Sequence, residues 1–373
     1  MDFTGKILAL AKKHKSQLQK YLNGVSHQLS HSLISLKKHE LNALFLLTLE
    51  RPVDLCILLN TEFYELEKII NNPAYRNYTI PKKKGGYRVI SAPGFNLKKI
   101  QKRLNYFLQA YYLDIKPKEV HGFVINPHYL GTHCNIAENA RVHIGKKHLL
   151  NIDLRDFFPS ISARQVKDLF CSPYFNFNDQ IANALTFITT YEGKLPIGAP
   201  SSPVLSNFIC FSLDNDLITF CNDHNLTYTR YADDLTFSSD TLIPSNNLLD
   251  IINLITKNNF RINEKKLRLK ASNRRQVVTG LTVNEKVNVD RKILKNIRAM
   301  LHDLTMNGVD HATCHHFNIQ FACTDKEKAR FLDRLRGLIN FVGQIRGKDD
   351  SVYLRHIKAF DGAVGKKGKK VKV

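Results

Sequence analysis

The chain has 373 residues, 43% of them hydrophobic, so it is long enough to bury a sizeable core and too long for one simple domain. It contains 55 Lys and Arg against 33 Asp and Glu, and the formal net charge of +22 suits a polyphosphate partner such as nucleic acid. Seven cysteines without a Cys-x-x-Cys pair argue against a disulfide framework, and the most apolar stretch, near residues 41–49, is too short to span a membrane. We therefore expect a soluble cytoplasmic protein without a membrane partner.

The first part of the chain is predicted to be helical over residues 1–75. Residues 78–93, Tyr-Thr-Ile-Pro-Lys-Lys-Lys-Gly-Gly-Tyr-Arg-Val-Ile-Ser-Ala-Pro, predict a strand, a glycine turn and a second strand. Residues 97–112 then have helical spacing and a basic face. Residues 81–103 contain eight Lys or Arg and no acidic residue, which suits phosphate groups, although a basic face can also be mere solvation.

A short apolar run follows, and it contains a carboxylate. Residues 148–154 are typical of a buried strand, and Asp153 lies within them. An aspartate among Leu and Ile side chains is costly to bury unless it is paired or binds a metal ion. A helix cap or an ion-pair partner is the alternative interpretation of Asp153.

Two more carboxylates interrupt residues 227–238, Thr-Tyr-Thr-Arg-Tyr-Ala-Asp-Asp-Leu-Thr-Phe-Ser. The β-branched and aromatic residues on both sides predict a hairpin with Asp233 and Asp234 at or beside its tip. Adjacent carboxylates repel each other unless a cation neutralises them, and a polar turn is the alternative. If Asp153 ends a strand beside this hairpin, the three carboxylates suit two Mg²⁺ ions about 3.5–4 Å apart, with Mn²⁺ as the other candidate ion.

The C-terminal third predicts two amphipathic helices. The first ends near Gly308, and the second begins at the capping box Thr324-x-x-Glu327 and ends near Gly347. Between them lie residues that can bind metals, namely His311, Cys314, His315, His316 and Cys323. They lack standard zinc spacing and fall in a predicted loop or helix start, so the sequence predicts no zinc site there.

Five motifs in order make the chain resemble a reverse transcriptase of the bacterial retron type. They are Asn139-Ala-Arg-Val-His143, the box from Asn151 to Pro159, Leu195-Pro-Ile-Gly-Ala-Pro-Ser-Ser-Pro203, Tyr231-Ala-Asp-Asp234 and Val278-Thr279-Gly280. The resemblance implies an α+β right-hand polymerase fold with fingers, a palm built on an antiparallel sheet, and a helical thumb, without an RNase H domain. The implied order is an N-terminal helical region at 1–75, fingers at 76–147, a palm with finger-associated helices at 148–284, a thumb at 285–350 and a basic C-terminal tail at 351–373.

The resemblance also implies roles for single residues. Asp153, Asp233 and Asp234 become the catalytic metal ligands. The implied nucleotide-binding residues are Lys83, Lys84, Arg88, Phe158 as a steric gate against a 2′-hydroxyl, and Lys266. The alternatives are template-backbone contact for the hairpin cations, core packing for Phe158, with Phe157 competing for its role, and an exposed cation for Lys266. The retron-specific residues are Asn139, His143, Val278, Thr279 and Gly280.

One position departs from the family pattern. Ile197 stands where the signature usually has glutamine, and isoleucine offers no donor or acceptor. Contact with the nucleotide must then depend on the backbone, Arg88 and Phe158.

The function implied by the resemblance is that of an RNA-directed DNA polymerase, a nucleotidyltransferase that uses dNTPs. It would copy a cognate structured noncoding RNA into a branched RNA–DNA hybrid (msDNA) within a retron antiphage defence system. A separate effector protein and a host RNase H are the implied protein partners. The alternatives are a reverse transcriptase of the group II intron or abortive-infection type, or an RNA- or hybrid-binding scaffold for a defence effector.

Overall fold

The structure, a computed structural model, describes residues 3–22, 33, 35–82, 85–126 and 134–365. Its backbone divides into two compact units. Unit 1 comprises Met1–Asn135 and Leu150–Leu269, and unit 2 comprises Ile136–Leu149 and Lys270–Val373.

Unit 1 begins with helices and a hairpin. The helices are α1 (Phe3–Leu22), α2 (Lys38–Leu47), α3 (Pro52–Leu59) and α4 (Phe63–Asn71). Strands β1 (Tyr75–Pro81) and β2 (Tyr87–Pro93) pair in antiparallel fashion, and helix α5 (Phe95–Ile115) follows. Gly85 and Gly86 turn the chain at φ values of 89° and 78°, which glycine adopts at little cost. The predicted helices and the strand-turn-strand are thus confirmed.

A four-stranded sheet forms the centre of unit 1. Its strands are β3 (His148–Asp153), β4 (Thr227–Tyr231), β5 (Asp234–Ser239) and β6 (Arg268–Ala271), in the order β4-β5-β3-β6. The accompanying helices are α7 (Ala163–Cys171), α8 (Asp179–Thr189), α9 (Ser202–Ile209), α10 (Phe211–Asp223), α11 (Ser245–Lys257) and a 3₁₀ turn at Glu264–Lys266. Strands β4 and β5 are antiparallel. This combination of helices with antiparallel strands is the predicted α+β class.

Helices α9 and α10 are core elements. Their apolar residues recur at helical spacing, and Val204, Leu205, Phe208, Leu213 and Leu217 are buried, as predicted. None of the described helices is by itself long and apolar enough to cross a membrane. Together, the bent pair α9–α10 has the length and composition of a membrane span, but buried core helices have these properties as well.

Unit 2 has its own core. Its elements are α6 (Ile136–Arg141), β7 (Val277–Val278), β8 (Leu281–Thr282), α12 (Arg291–Phe317), α13 (Asp325–Arg346) and α14 (Ser351–Gly365). Helix α13 has the predicted capping box, because Thr324 accepts from the backbone N–H of Glu327 and the Glu327 side chain accepts in return. Helix α12 runs past its predicted end but is broken there, since Gly308 has φ 79° and ψ 175°.

The basic-tail assignment for residues 351–373 needs correction. Residues 351–365 form α14, because Tyr353, Ile357 and Phe360 recur at helical spacing and pack on the core of unit 2. The many lysines at the end of the sequence obscured this short apolar period. Residues 366–373 lie outside the described part of the chain.

A buried ion pair supports the hairpin β4–β5. Arg230 and Asp214 are both fully buried, and the guanidinium donates Nε to Oδ1 at 2.7 Å and Nη2 to Oδ2 at 2.6 Å. Its Nη1 donates to Asn207 at 3.0 Å and to the carbonyl of Ala232 at 3.2 Å. Tyr228 donates to the same carboxylate at 2.9 Å. The pair therefore connects helices α9 and α10 to the hairpin tip.

We expect Asp214→Ala to lower the free energy of unfolding by about 3–5 kcal/mol, because it leaves a buried guanidinium without its counter-charge. Asp216→Ala is the matched control on the same helix, since Asp216 pairs with the exposed Lys257 at 3.4 Å and should cost less than about 1 kcal/mol. Urea unfolding followed by circular dichroism measures both. Equal losses would contradict the structural role of the buried pair.

Candidate active site

Three carboxylates meet where β3 ends beside the hairpin tip. Asp153 is the last residue of β3, Asp233 lies in the turn between β4 and β5, and Asp234 is the first residue of β5. Ala232 takes φ 59° to make that turn, and the N–H of Leu154 donates to the carbonyl of Asp233 at 2.9 Å. The predicted convergence of the three aspartates is confirmed.

Asp153 is already paired with a cation. Lys266 Nζ lies 2.8 Å from Oδ1 and 2.7 Å from Oδ2 of Asp153, and Asn263 Nδ2 donates to Oδ1 at 3.2 Å. The backbone N–H of Asn263 also donates to the Asp153 carbonyl at 2.8 Å, so the 3₁₀ turn that carries Lys266 is held on β3. The sequence predicts no role for Asn263, although it stands three residues before Lys266.

Lys266 neutralises only part of the negative charge of the three carboxylates. Burial, followed by the charge of Asp153, raises the pKa of Asp233, with Lys266 and Arg88 offsetting part of the rise. Loss of water around the carboxyl group, together with the charges of Asp233 and Asp153, raises the pKa of Asp234 to about 6, although that residue as a whole is exposed. Clustered carboxylate oxygens fit hard divalent cations, so these three residues suit Mg²⁺ or Mn²⁺.

A cavity of about 990 Å³ opens in front of Asp153 and Asp233. Its walls include Lys82 and Arg88 from the hairpin β1–β2, together with Phe158, Ile197 and Lys266. Arg88 is exposed and acts electrostatically on Asp233. Lys83 and Lys84, the other predicted nucleotide-binding residues of this hairpin, lie outside the described residues.

The two neighbouring phenylalanines have different surroundings. Phe157 is buried and packs against Phe260, with ring centroids 5.8 Å apart. Phe158 is half-buried, packs against Phe123 at 5.7 Å and is near the other residues of the cavity wall. Both rings line the cavity, but the more exposed position belongs to Phe158.

The segment around Ile197 is fixed by its backbone. The Ile197 carbonyl accepts from the N–H of Ser91 at 2.8 Å, which attaches this segment to β2. Gly198 has φ 118°, and a Cβ there would lie 2.9 Å from Ile90 and 3.1 Å from the Ser91 carbonyl. The close approach of two backbones therefore requires glycine at 198, whatever side chain position 197 carries.

The remaining predicted residues lie in unit 2. Helix α6 carries Asn139, which is 1% exposed and has no hydrogen-bond partner on its side-chain amide, and His143 follows it and is fully buried. The Thr279 hydroxyl donates to the carbonyl of Ile136 at 3.0 Å. Thr279 has a φ of 48° and lies between Val278, which is buried, and Gly280, whose φ is 85°. The five residues thus belong to one small substructure of α6, β7 and β8.

Comparisons with known proteins identify the family. The profile described as reverse transcriptase (RNA-dependent DNA polymerase) matches residues 80–312. The retron Ec86 reverse transcriptase of Escherichia coli is 34% identical over 236 residues, or 63% of this chain and 67% of that protein. The retron Mx65 reverse transcriptase of Myxococcus xanthus is 31% identical over 247 residues, or 61% of this chain and 55% of that protein. A telomerase structure from Candida albicans matches at TM-score 0.44 and 9% identity, covering 82% of this chain and 65% of that one, and supports no conclusion here.

The family match spans more than half of the chain and includes the three carboxylates. The chain therefore belongs to the reverse transcriptase family, the RNA-dependent DNA polymerases. Its curated relatives make it a reverse transcriptase of the bacterial retron type. The predicted polymerase fold and enzyme class are confirmed.

The pairing of Lys266 with Asp153 predicts competition with metal ions. Lys266→Met should strengthen Mn²⁺ binding in the absence of nucleotide by about two- to fivefold, because a half-exposed ion pair is worth about 1 kcal/mol or less. Titration followed by electron paramagnetic resonance measures the affinity. Lys265→Met is the control, since it removes an adjacent charge on the cavity wall without removing a bond to Asp153. An equal gain in both variants would show that only net charge matters.

Proposed function

We propose that this reverse transcriptase copies a cognate structured noncoding RNA into a branched RNA–DNA hybrid (msDNA). The observation that carries the polymerase chemistry is the cluster of Asp153, Asp233 and Asp234 beside a cavity lined by cations and an aromatic ring. The observation that favours the retron product is similarity to proteins named as retron reverse transcriptases. The net charge of +22 suits an RNA template and its DNA copy.

The three aspartates would hold two Mg²⁺ ions. When bound, such ions lower the pKa of the attacking hydroxyl and neutralise charge on the departing pyrophosphate. Within this chain, Arg88 faces the same cavity and would bind the triphosphate of a dNTP together with Lys83 or Lys84. Lys266 would release Asp153 as a ligand for such an ion and would serve as a further cation for the phosphates. Phe158 would lie beneath the sugar and exclude a 2′-hydroxyl.

The substructure of α6, β7 and β8 would serve recognition of the cognate RNA. Asn139 supports this assignment because its buried amide has no hydrogen-bond partner, and such a group is costly unless something else satisfies it. His143, Val278, Thr279 and Gly280 would shape the surrounding backbone. The wider context that we propose is antiphage defence in the cytoplasm, with a separate effector protein and a host RNase H that removes template RNA.

We predict that Asp233→Asn reduces DNA synthesis by at least about 100-fold and leaves RNA binding within about twofold. The metal ligands contribute several kcal/mol to the transition state, whereas RNA affinity depends on basic side chains. Primer extension and an RNA gel shift on one preparation give both values. Asp216→Asn is the control for a general loss of negative charge. Retained synthesis by Asp233→Asn would refute the catalytic assignment, and so favour a scaffold role.

The retron product has a separate test. Nucleic acid that copurifies with the protein expressed from its native locus should contain DNA joined to RNA at a 2′-position, because retron synthesis starts from an RNA hydroxyl. Sequencing before and after treatment with a debranching enzyme detects that junction. Linear cDNA alone, from an otherwise active enzyme, would favour the group II intron or abortive-infection type.

Phe158→Ala should raise incorporation of ribonucleotides relative to deoxyribonucleotides by about tenfold or more, because it removes the ring proposed to clash with the 2′-hydroxyl. Single-nucleotide incorporation with each substrate at equal concentration measures the ratio. Phe157→Leu is the packing control, since that ring is buried against Phe260. An unchanged ratio in Phe158→Ala would mean that Phe158 is a packing residue.

A further inference from the structure

A second cluster of metal-binding side chains lies in unit 2, around the break in helix α12. In a continuous α-helix, Asp303 and His315 would be about 18 Å apart along the axis, because each residue adds 1.5 Å. In this structure Asp303 Oδ2 lies 2.7 Å from His315 Nδ1. The break at Gly308, with its φ of 79°, turns the second helical segment back on the first.

Three imidazoles surround the one carboxylate. His311 Nδ1 lies 2.9 Å from Asp303 Oδ1, and His316 Nε2 lies 3.4 Å from Oδ2. Asp303 is only 6% exposed. One ligand atom from each of Asp303, His315 and His316 lies within 4.8 Å of the others. Around a tetrahedral zinc ion with bonds of about 2.0–2.1 Å, ligand atoms are about 3.3 Å apart, so only small side-chain movements are required.

One group of this cluster, the His316 ring, has a buried nitrogen without a hydrogen-bond partner in the protein. Asp303 accepts from Asn307 at 2.7 Å and bonds to His311 and His315, so its carboxylate is well satisfied. His316 Nε2 is buried, faces that carboxylate and has no hydrogen-bond partner. A buried ring nitrogen without a hydrogen-bond partner is costly, and a metal ion at this position would bind both this nitrogen and the carboxylate.

The donor set indicates which cation fits. Imidazole nitrogens suit zinc and similar transition metals, whereas Mg²⁺ prefers oxygen ligands. The nearby cysteines do not belong to the set, because Cys314 and Cys323 contact the carbonyls of Phe321 and Asp310.

We propose that Asp303, His315 and His316 bind a zinc ion, with solvent as the fourth ligand and His311 as a positioning residue on the other carboxylate oxygen.

This proposal is independent of the polymerase site, whose donors are all oxygens. The zinc ion would join the two segments of α12 on either side of Gly308 and stabilise the break between them. The sequence predicts a loop or helix start for these histidines, but the structure has them within α12. The ligand that completes the set, Asp303, lies twelve residues earlier, beyond the short spacings by which zinc sites are recognised.

Zinc binding to the full-length protein tests the proposal. Chelator-treated protein is titrated with Zn²⁺ against a chromogenic zinc chelator, in millimolar Mg²⁺ so that the carboxylate site of unit 1 is occupied. We expect one zinc ion per chain, and a loss of affinity of at least about 100-fold in His315→Ala combined with His316→Ala. His302→Ala is the matched control, because His302 is exposed on α12 outside the cluster and should bind as the unmodified protein does.

Two further measurements keep the result unambiguous. Zinc should raise the melting temperature of the unmodified protein and of His302→Ala, but not that of the double variant. If the double variant fails to fold, His315→Ala alone decides, since that side chain is 66% exposed and its removal leaves the core intact. Equal zinc affinity in His315→Ala and the unmodified protein, or an equal loss in His302→Ala, would overturn the proposal.

Discussion

The geometry of the three clustered carboxylates depends on a guanidinium that has no contact with solvent. Arg230 uses its rigid set of donors on Asp214, Asn207 and the Ala232 carbonyl, so one side chain joins two core helices to the hairpin tip. Its backbone N–H also donates to the Glu119 carbonyl, and its carbonyl accepts from His121. Burial disfavours the charged guanidinium, but the Asp214 carboxylate keeps the pKa of Arg230 above its usual value. The neighbouring aspartates are thereby presented on a turn whose backbone has little freedom to shift.

The two ion pairs of unit 1 serve opposite purposes. The Arg230–Asp214 pair has no exposed surface on either side chain and is permanent, because separating it would strand two buried charges. The Lys266–Asp153 pair joins a nearly buried carboxylate to a lysine that is half exposed, so the lysine can return to water at small cost. The first pair therefore fixes the backbone beside the aspartates, and the second neutralises Asp153 in a way that a competing cation can reverse.

How much the sequence predicts depends on the range of the interaction. The hairpin at Asp233 and Asp234, strand β3 and the capped start of α13 follow from local periodicity and turn chemistry, and all three are present. The pairing of Arg230 with Asp214 is chosen by the packing of α10 on the sheet, and no local pattern reveals it. The lysines that follow helix α14 mask its apolar period, and Asp303 meets His315 only because the helix is broken at a single glycine.

Two glycines show how the backbone itself prepares these sites, each for a different physical reason. At Gly198 both conformation and space are restrictive, because φ is 118° and an added Cβ would lie 2.9 Å from Ile90. Glycine there lets the Ile197 segment approach β2 beside the cavity that contains Asp153 and Asp233. At Gly308 nothing lies within 4 Å of an added Cβ, and only the φ of 79° disfavours other residues. Glycine is therefore required by crowding at position 198 and by backbone conformation at position 308. The position of Ile197 thus depends on packing, whereas the contact of Asp303 with its histidines depends on the φ of one residue.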